Sequence, residues 1–238
     1  MKYELNPDYH DKKSFLLHID QTFQEATDSI HKARNEIKII DDFVVKSFKI
    51  PHIINKIAYS FFRPSKAKRA YHNALKISSF TPKPLGYCEF YRFGLLRESY
   101  FIAAHFAYDF TIREVLDDKN FQDREQILIA FADFTYQLHQ AGILHKDYSP
   151  GNILIKKEHA HYIFQIVDIN RLVFGTLSTK EALENFTRIF ADKEDLKTIL
   201  YAYATLAKLP QEESYQSALV PNQKHRQKLL KKWAKKEK

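Results

Sequence analysis

His145-Lys146-Asp147-Tyr148-Ser149-Pro150-Gly151-Asn152, followed sixteen residues later by Asp168-Ile169-Asn170, is the stretch on which the reading of this chain turns. It sets two acids and an amide at fixed spacing, H-x-D-x-x-x-x-N on a loop and then an Asp at the end of an apolar run. The flanks give these residues a place. Asp123 stands where it can cap a helix whose Ile127, Phe131, Phe134 and Leu138 recur at helical spacing, and Gly142 supplies the stop. Ile143 and Leu144 enter the loop. Beyond Asn152, Ile153-Leu154-Ile155 and residues 162–167 read as two short strands joined by a charged turn at Lys156-Lys157-Glu158. Asp168 is therefore expected at a strand end, open toward a cleft.

This spacing is the one that phosphoryl transfer on a protein-kinase-like fold requires, with a separate task for each polar residue. Asp147 is positioned to accept or orient the proton of an acceptor hydroxyl. Asn152 and Asp168 offer an amide and a carboxylate oxygen, which suit Mg²⁺, a hard cation that takes few protein ligands and completes its shell with phosphate and water. The implied cofactors are ATP and Mg²⁺.

The segments LHKDYSPGNILI, residues 144–155, and IVDINRLVFG, residues 166–175, resemble the lipopolysaccharide core kinases, which phosphorylate Kdo or heptose of the bacterial inner-core saccharide. Asp-x-Asn-Arg in place of Asp-Phe-Gly is the more specific half. The resemblance covers roughly residues 40 to 175. It implies an α+β, bilobal protein-kinase-like fold with a small antiparallel-sheet N-lobe and a reduced helical C-lobe. It also implies Asp147 as catalytic base, Asn152 and Asp168 as metal ligands, and Lys46, in Phe43-Val44-Val45-Lys46, as the phosphate-binding lysine of the third strand.

Two departures from the pattern stand out. A kinase lysine is normally held by a helical Glu, yet residues 43–88 contain no Asp or Glu. The helix in question is expected from Ser65 to Leu75, with His72 or Tyr71 in the neighbourhood of the missing acid. Lys46 is then left to be positioned by Asp168, by nucleotide phosphate, or by an acid from elsewhere. The second departure is the nucleotide-covering loop, for which a protein kinase uses glycines; here no glycine precedes Gly86. The segment from Phe15-Leu16-Leu17-His18-Ile19 to Ile37-Lys38-Ile39-Ile40 is expected to form the first hairpin, turning at Ala26-Thr27-Asp28-Ser29 or Lys32-Ala33-Arg34-Asn35. Ser29, Lys32 or Arg34 would contact phosphate.

The remainder is placed more coarsely. Residues 87–91 and 100–104 read as a hairpin ending at a hinge, where backbone groups around residues 103–106 would meet adenine. The helical lobe begins near Thr111. Beyond Arg171, which is expected to order the loop by pairing with Asp147 or another acid, or to contact an anionic acceptor, no full activation segment and no Ala-Pro-Glu terminator follow. Residues 179–190 and 192–209 read instead as two helices, the second capped by Asp192 with Leu196, Ile199, Leu200, Tyr203 and Leu206 on its apolar side. A chain without that platform favours a saccharide or lipid-linked saccharide acceptor over a peptide. The expected division is residues 1–105, 106–221 and a tail, 222–238.

With 238 residues and 45% apolar content, the chain is long enough for a bilobal core. Cys88 is the single cysteine, which excludes an internal disulfide and fits a reducing compartment. Residues 1–8 carry no apolar signal-peptide core, and no run approaches the ~18 apolar residues of a spanning helix. A cytoplasmic protein, peripheral on the inner face of the inner membrane, is the expectation. Charge is uneven: residues 224–238 hold eight Lys and Arg against one Glu, and residues 43–88 hold nine, within a net charge of +8. Leu229, Leu230, Trp233 and Ala234 recur among the tail lysines as a basic amphipathic helix suited to an anionic membrane surface. Nucleic acid is a weaker partner, because no aromatic-interleaved basic motif accompanies the charge. The alternatives to a saccharide kinase are a small atypical kinase or ATPase of the RNA-modification type, and a catalytically weak nucleotide-binding module.

Overall fold

The computed structural model describes residues 1–32, 35–48, 58–159 and 161–234. The chain forms two compact units, Met1–Phe106 and Ala107–Lys238.

The first unit is built on a six-stranded antiparallel sheet. Its strands are β1 (Lys2–Leu5), β2 (Ser29–Lys32), β3 (Asn35–Ile40), β4 (Phe43–Phe48), β5 (Pro84–Arg92) and β6 (Leu95–Ala104), in the order β1-β5-β6-β4-β3-β2. Alternation divides each strand between two faces. Val45 and Ile102, paired in register, join Phe43, Cys88 and Tyr100 on one face, and Lys46, Phe48, Tyr87 and Phe101 occupy the other.

Helices α1 (Lys13–Leu17) and α2 (Ile19–Glu25) cover the first face. The expected strand at residues 15–19 is therefore helical. Leu16, Ile19 and Phe23 are the residues buried against the sheet, a stripe at spacings of three and four that a strand would have split between its faces. The first hairpin is formed instead by β2 and β3, with Lys32 opposite Glu36. Of the two proposed turns the second is the one used, and its Ala33 and Arg34 lie outside the described residues.

Lys38 holds α2 to the sheet. It is buried, its Nζ donates at 2.7 Å to the carbonyls of both Phe23 and Ala26, and it lies 4.6 Å over the Phe23 ring. A cation at a helix C-terminus satisfies carbonyls that have no partner within the helix and complements the helix dipole. Helix α3 (Lys66–Lys76) covers the opposite face, capped by Ser65 Oγ, which accepts from Lys68 N. Its Ala67 and Tyr71 pack with Phe48 and Tyr87.

The second unit carries two small sheets among helices. β9 (Ile153–Glu158) pairs with β10 (His161–Ile166) and with the short β7 (Phe110–Thr111), while β8 (Ile143–His145) pairs with β11 (Leu172–Phe174). Helices α4 (Ile112–Asp117), α5 (Arg124–Gln140), α6 (Thr179–Asn185), α7 (Lys193–Ala207) and α8 (Gln211–Ala234) complete it. α5 ends at Gly142, whose φ of 69° is accessible to glycine at little cost, and a Cβ there would lie 2.8 Å from the Gly175 carbonyl.

Several boundaries differ from expectation. Asp123 stands before α5 with φ of 57° but does not cap it; its carboxylate accepts from Lys157 Nζ at 2.7 Å and Tyr162 OH at 3.0 Å. Lys156 to Glu158 continue β9 rather than turning, because Lys157 is held by Asp123 and, through its N–H, by Asp109. The helix expected over residues 179–190 ends at Asn185, and Phe190, at φ of 65°, separates it from α7. Asp192 caps α7 as expected, accepting from Glu194 N and Asp195 N, and four of the five apolar residues named for that helix are buried, Leu206 being 39% exposed. α8 runs through Pro221 and buries Tyr215, Ala218 and Asn222, and the helix continues through residues 222–234. The Trp233 side chain and residues 235–238 lie outside the description. No helix among the described residues is long and apolar enough to cross a membrane.

Replacing Lys38 with Met should lower the unfolding free energy by about 1–3 kcal/mol, since one buried and one part-buried carbonyl lose their donor. Urea denaturation should show a lower midpoint with an unchanged m-value.

Candidate active site

The loop carrying Asp147 is held by a histidine. His145 is fully buried, its Nδ1 accepts from Asp147 N–H at 3.0 Å, and its Nε2 faces the Val167 carbonyl at 3.1 Å. A donor on one side and an acceptor on the other fix a neutral ring protonated at Nε2. Burial pushes its pKa below the usual histidine value, outweighing the Val167 carbonyl and the carboxylates of Asp168 and Asp147, which favour the charged form. One imidazole thus spans the residue before Asp168 and the backbone of Asp147.

Asn152 closes the same ring of contacts. Asn152 Nδ2 donates to the Asp147 carbonyl at 3.0 Å, and the Asn152 carbonyl accepts from Val167 N at 2.9 Å. The donor end of the Asn152 amide is committed to the loop, which leaves Oδ1 as the end offered to a cation. Asp168 has φ of 56° and opens the short helical turn Ile169–Arg171; Asn170 Nδ2 donates to its Oδ1 at 3.3 Å. Asn170 Oδ1 is buried with no hydrogen-bond partner. Flipping that amide would set its oxygen against the Asp168 carboxylate, so the orientation is chemically fixed and an acceptor is left beside the acid. Two amide oxygens and a carboxylate are a hard-donor set that fits Mg²⁺ completed by phosphate and water. Among the described residues, no group of three or more His, Cys, Asp and Glu side chains forms an alternative metal site.

Arg171 NH1 lies 3.8 Å from Asp147 Oδ2, and its carbonyl accepts from Lys146 N at 2.9 Å. With the guanidinium 63% exposed, the ion pair is worth little, and the ordering role falls to the backbone bond and to the Leu172–His145 strand pairing.

Behind the loop lies a buried polar chain that sequence reasoning missed. Asn185 Nδ2 donates to the His145 carbonyl at 2.9 Å, its Oδ1 accepts from His139 Nε2 at 3.0 Å, and His139 Nδ1 meets Tyr203 OH at 2.9 Å. Tyr148 is also fully buried, stacked on Phe131, with its hydroxyl 2.8 Å from Thr135 Oγ1. The available signal was Thr135 and His139 at i and i+4 on the apolar face of α5, polar residues placed where only paired ones are tolerated.

Lys46 belongs to the first unit. It stands on β4 on the α3 face, opposite Phe101, with its Nζ 5.5 Å from the Phe48 ring centroid. On α3, Tyr71 is buried against Tyr87, and His72 Nε2 lies 3.5 Å from Glu4 Oε2 on β1. Glu4, Tyr87, Phe101 and Lys46 form one row across four adjacent strands, which puts Glu4 roughly 14 Å from Lys46 by strand spacing, too far to take the helical acid's place. At the expected adenine hinge, Ala104 N and His105 N are already bonded to the carbonyls of Lys83 and Asp42. Among the phosphate-contact candidates, Ser29 and Lys32 lie at the two ends of β2 and Arg34 lies outside the described residues.

No protein-family model matches the chain, and no curated protein matches it. Among solved structures, "WaaP in complex with acyl carrier protein" aligns with a TM-score of 0.59 at 12% identity, over 97% of this chain and 99% of that one. The bifunctional kinase-methyltransferase WbdD aligns at 0.48 and 17% identity, over 94% of this chain and 46% of that one. The chain therefore has the protein-kinase-like α+β fold represented by WaaP, with an antiparallel-sheet unit and a helical unit that lacks a full activation segment.

His139, like His145, is buried with its pKa lowered, chiefly by burial. The unfolded chain then binds more protons than the native one at mildly acidic pH, so stability is fully present above the ordinary histidine range near 6.5 and falls as pH drops below it. Each such group contributes a slope of at most ~1.4 kcal/mol per pH unit. Denaturation of His139→Leu should show a lower stability at pH 7.5 and a shallower loss between pH 6.5 and 5 than the parent. A separate change, Asn185→Leu, should reduce turnover at least as strongly as it reduces stability, since it frees the His145 carbonyl; a thermal melt beside a rate measurement separates the two.

Proposed function

We propose that this chain is an ATP-dependent kinase that transfers the γ-phosphoryl group to a hydroxyl of a lipopolysaccharide inner-core sugar of the Kdo or heptose type. The observation that carries the reading is the closed circuit of Asp147, Asn152 and Val167 around His145, which holds a base, an amide and the approach to a second acid on one rigid support. The motif resemblance supports the substrate class, and the fold agrees with a kinase.

In this reading the acceptor oxygen bonds to the γ-phosphorus as the bond to the β,γ-bridging oxygen breaks. Asp147 takes the hydroxyl proton, and ADP leaves with the bridging oxygen. Asn152 Oδ1 and Asp168 would hold Mg²⁺, with Asn170 Oδ1 beside them, and that ion would offset charge on the nucleotide phosphates. Lys46 contacts phosphate. The basic face of α8 and the lysines after it hold the enzyme loosely against an anionic membrane where a lipid-linked acceptor is presented.

Incubation with Mg-ATP and Kdo-lipid A should yield phosphorylated saccharide. Asp147→Ala and Asp168→Ala should each lower the rate by ~10² to 10⁴, and Asp147→Ala should retain nucleotide binding. Turnover stimulated by RNA instead of saccharide would select the RNA-associated alternative. Nucleotide binding without turnover would select the weak binding module, the outcome that the acid-free α3 favours.

A further inference from the structure

The loop from Asp147 to Asn152 contains no lysine or arginine of its own. A cation reaches it from α4. An ideal Cβ on Gly151 would lie 2.8 Å from Arg113 Nη2, 3.3 Å from Nε and 3.5 Å from Cζ, so the guanidinium rests against the one loop residue that has no side chain. Gly151 does not occupy the left-handed region. What its missing side chain leaves open is therefore space rather than a backbone conformation, and the Arg113 guanidinium occupies that space; a Cβ there would push the guanidinium aside.

What surrounds this guanidinium is as informative as its position. Two of the acids near it in sequence, Asp109 and Glu114, are engaged elsewhere, and Asp117, at i+4 on the same helix, makes no ion pair with it. Asp109 Oδ2 accepts from Lys157 N at 2.7 Å, and Glu114 Oε2 accepts from Thr111 N at 3.1 Å and from the Thr111 hydroxyl, closing the capping box of α4. The other cations beside the loop have acidic neighbours: Arg171 faces Asp147, and Lys146 acts on Glu181. Among the described residues the Arg113 guanidinium has no carboxylate partner and no side-chain hydrogen bond; its backbone N–H donates to Thr111 Oγ1 at 3.2 Å. The residue is exposed.

We infer that Arg113 is an oxyanion-binding residue of this loop, its guanidinium seated on Gly151 to take the phosphate or carboxylate oxygens of a ligand that reaches Asp147 and Asn152. The planar fork of arginine pairs with either group through two parallel hydrogen bonds. Two sources would present that chemistry here: the phosphoryl group in transfer and an acidic group of the acceptor sugar. The inference rests on the kinase reading proposed above and adds the recognition of charge to it.

The test follows the arginine side chains directly. Protein carrying isotope-labelled arginine is examined by NMR at the Nε–Hε groups, with Arg113 assigned through Arg113→Lys. Mg²⁺ with a non-hydrolysable ATP analogue is added in one arm; in the other, free Kdo is compared with its methyl ester, which keeps the hydroxyls and lacks the charge. A saturable shift of the Arg113 resonance with the nucleotide analogue assigns the oxyanion to phosphate. A shift with Kdo that the ester fails to give assigns it to the acceptor carboxylate. Gly151→Ala should weaken either shift by pushing the guanidinium aside, and Arg113→Gln should lower kcat/KM on the order of tenfold, the loss of one charge-assisted contact. If loop amides respond to the ligands while Arg113 stays still in both arms, the inference is overturned and the kinase reading stands. If nothing responds and no phosphate is transferred, both are lost.

Discussion

A single neutral imidazole organises the second unit. His145 is buried between an N–H donor at Asp147 and a carbonyl acceptor at Val167, and no other protonation state satisfies both. A doubly protonated ring would set a donor against the Asp147 N–H, in a place water does not reach. A net hydrogen bond is worth ~1 kcal/mol, whereas a buried group left unpaired costs up to ~3 kcal/mol. The constraint is therefore steeper than the bonds are strong. Loop and hairpin are locked in register because any slip would orphan both partners together.

That constraint reaches outward through side chains, not through the loop itself. The His145 carbonyl is tied by Asn185 to His139 and then to Tyr203, so α5, α6 and α7 share one polar chain with the residue that supports Asp147. Tyr148 adds an independent pin through Thr135 and Phe131. Polar networks of this kind are stabilising only when every member is satisfied. This one is: each donor in it meets an acceptor, and the proton positions follow from the amide of Asn185, whose two ends face partners of opposite kind.

How much of this could be read from the sequence differs by element, for physical reasons. The loop, its hairpin and the helix before it were legible because local rules set them: spacing, a glycine stop and alternating apolar residues. The α3 helix was legible in extent, expected from Ser65 to Leu75 and formed over Lys66–Lys76 with Ser65 as its cap. The N-terminal helices were misread as strand because Phe15-Leu16-Leu17 is a continuous apolar run, which suits either structure until Ile19 and Phe23 extend the stripe. The failure of Asp123 as a cap has another cause. Lys157 is 34 residues away and competes for the same carboxylate, and no local rule carries that information. The polar chain behind His145 was missed for the same reason: its members are ordinary residues until the fold sets them side by side.

The segment between Asp168 and α6 shows what the missing activation platform means physically. After the turn at Ile169–Arg171 the chain returns at once as β11 to pair with β8, and Gly175 N bonds to the Gly142 carbonyl. Ser178 then opens α6 in a capping box with Glu181. Between strand and cap there is room for Gly175, Thr176 and Leu177 alone. Three residues cannot lay out an extended surface for a peptide, at ~3.3 Å per residue. On the kinase reading proposed above, a ligand at Asp147 is recognised by side chains that already flank the loop, and Arg113, Lys146 and Arg171 are among those exposed there. Selectivity in such a site rests on charge and on the shape of a compact ligand.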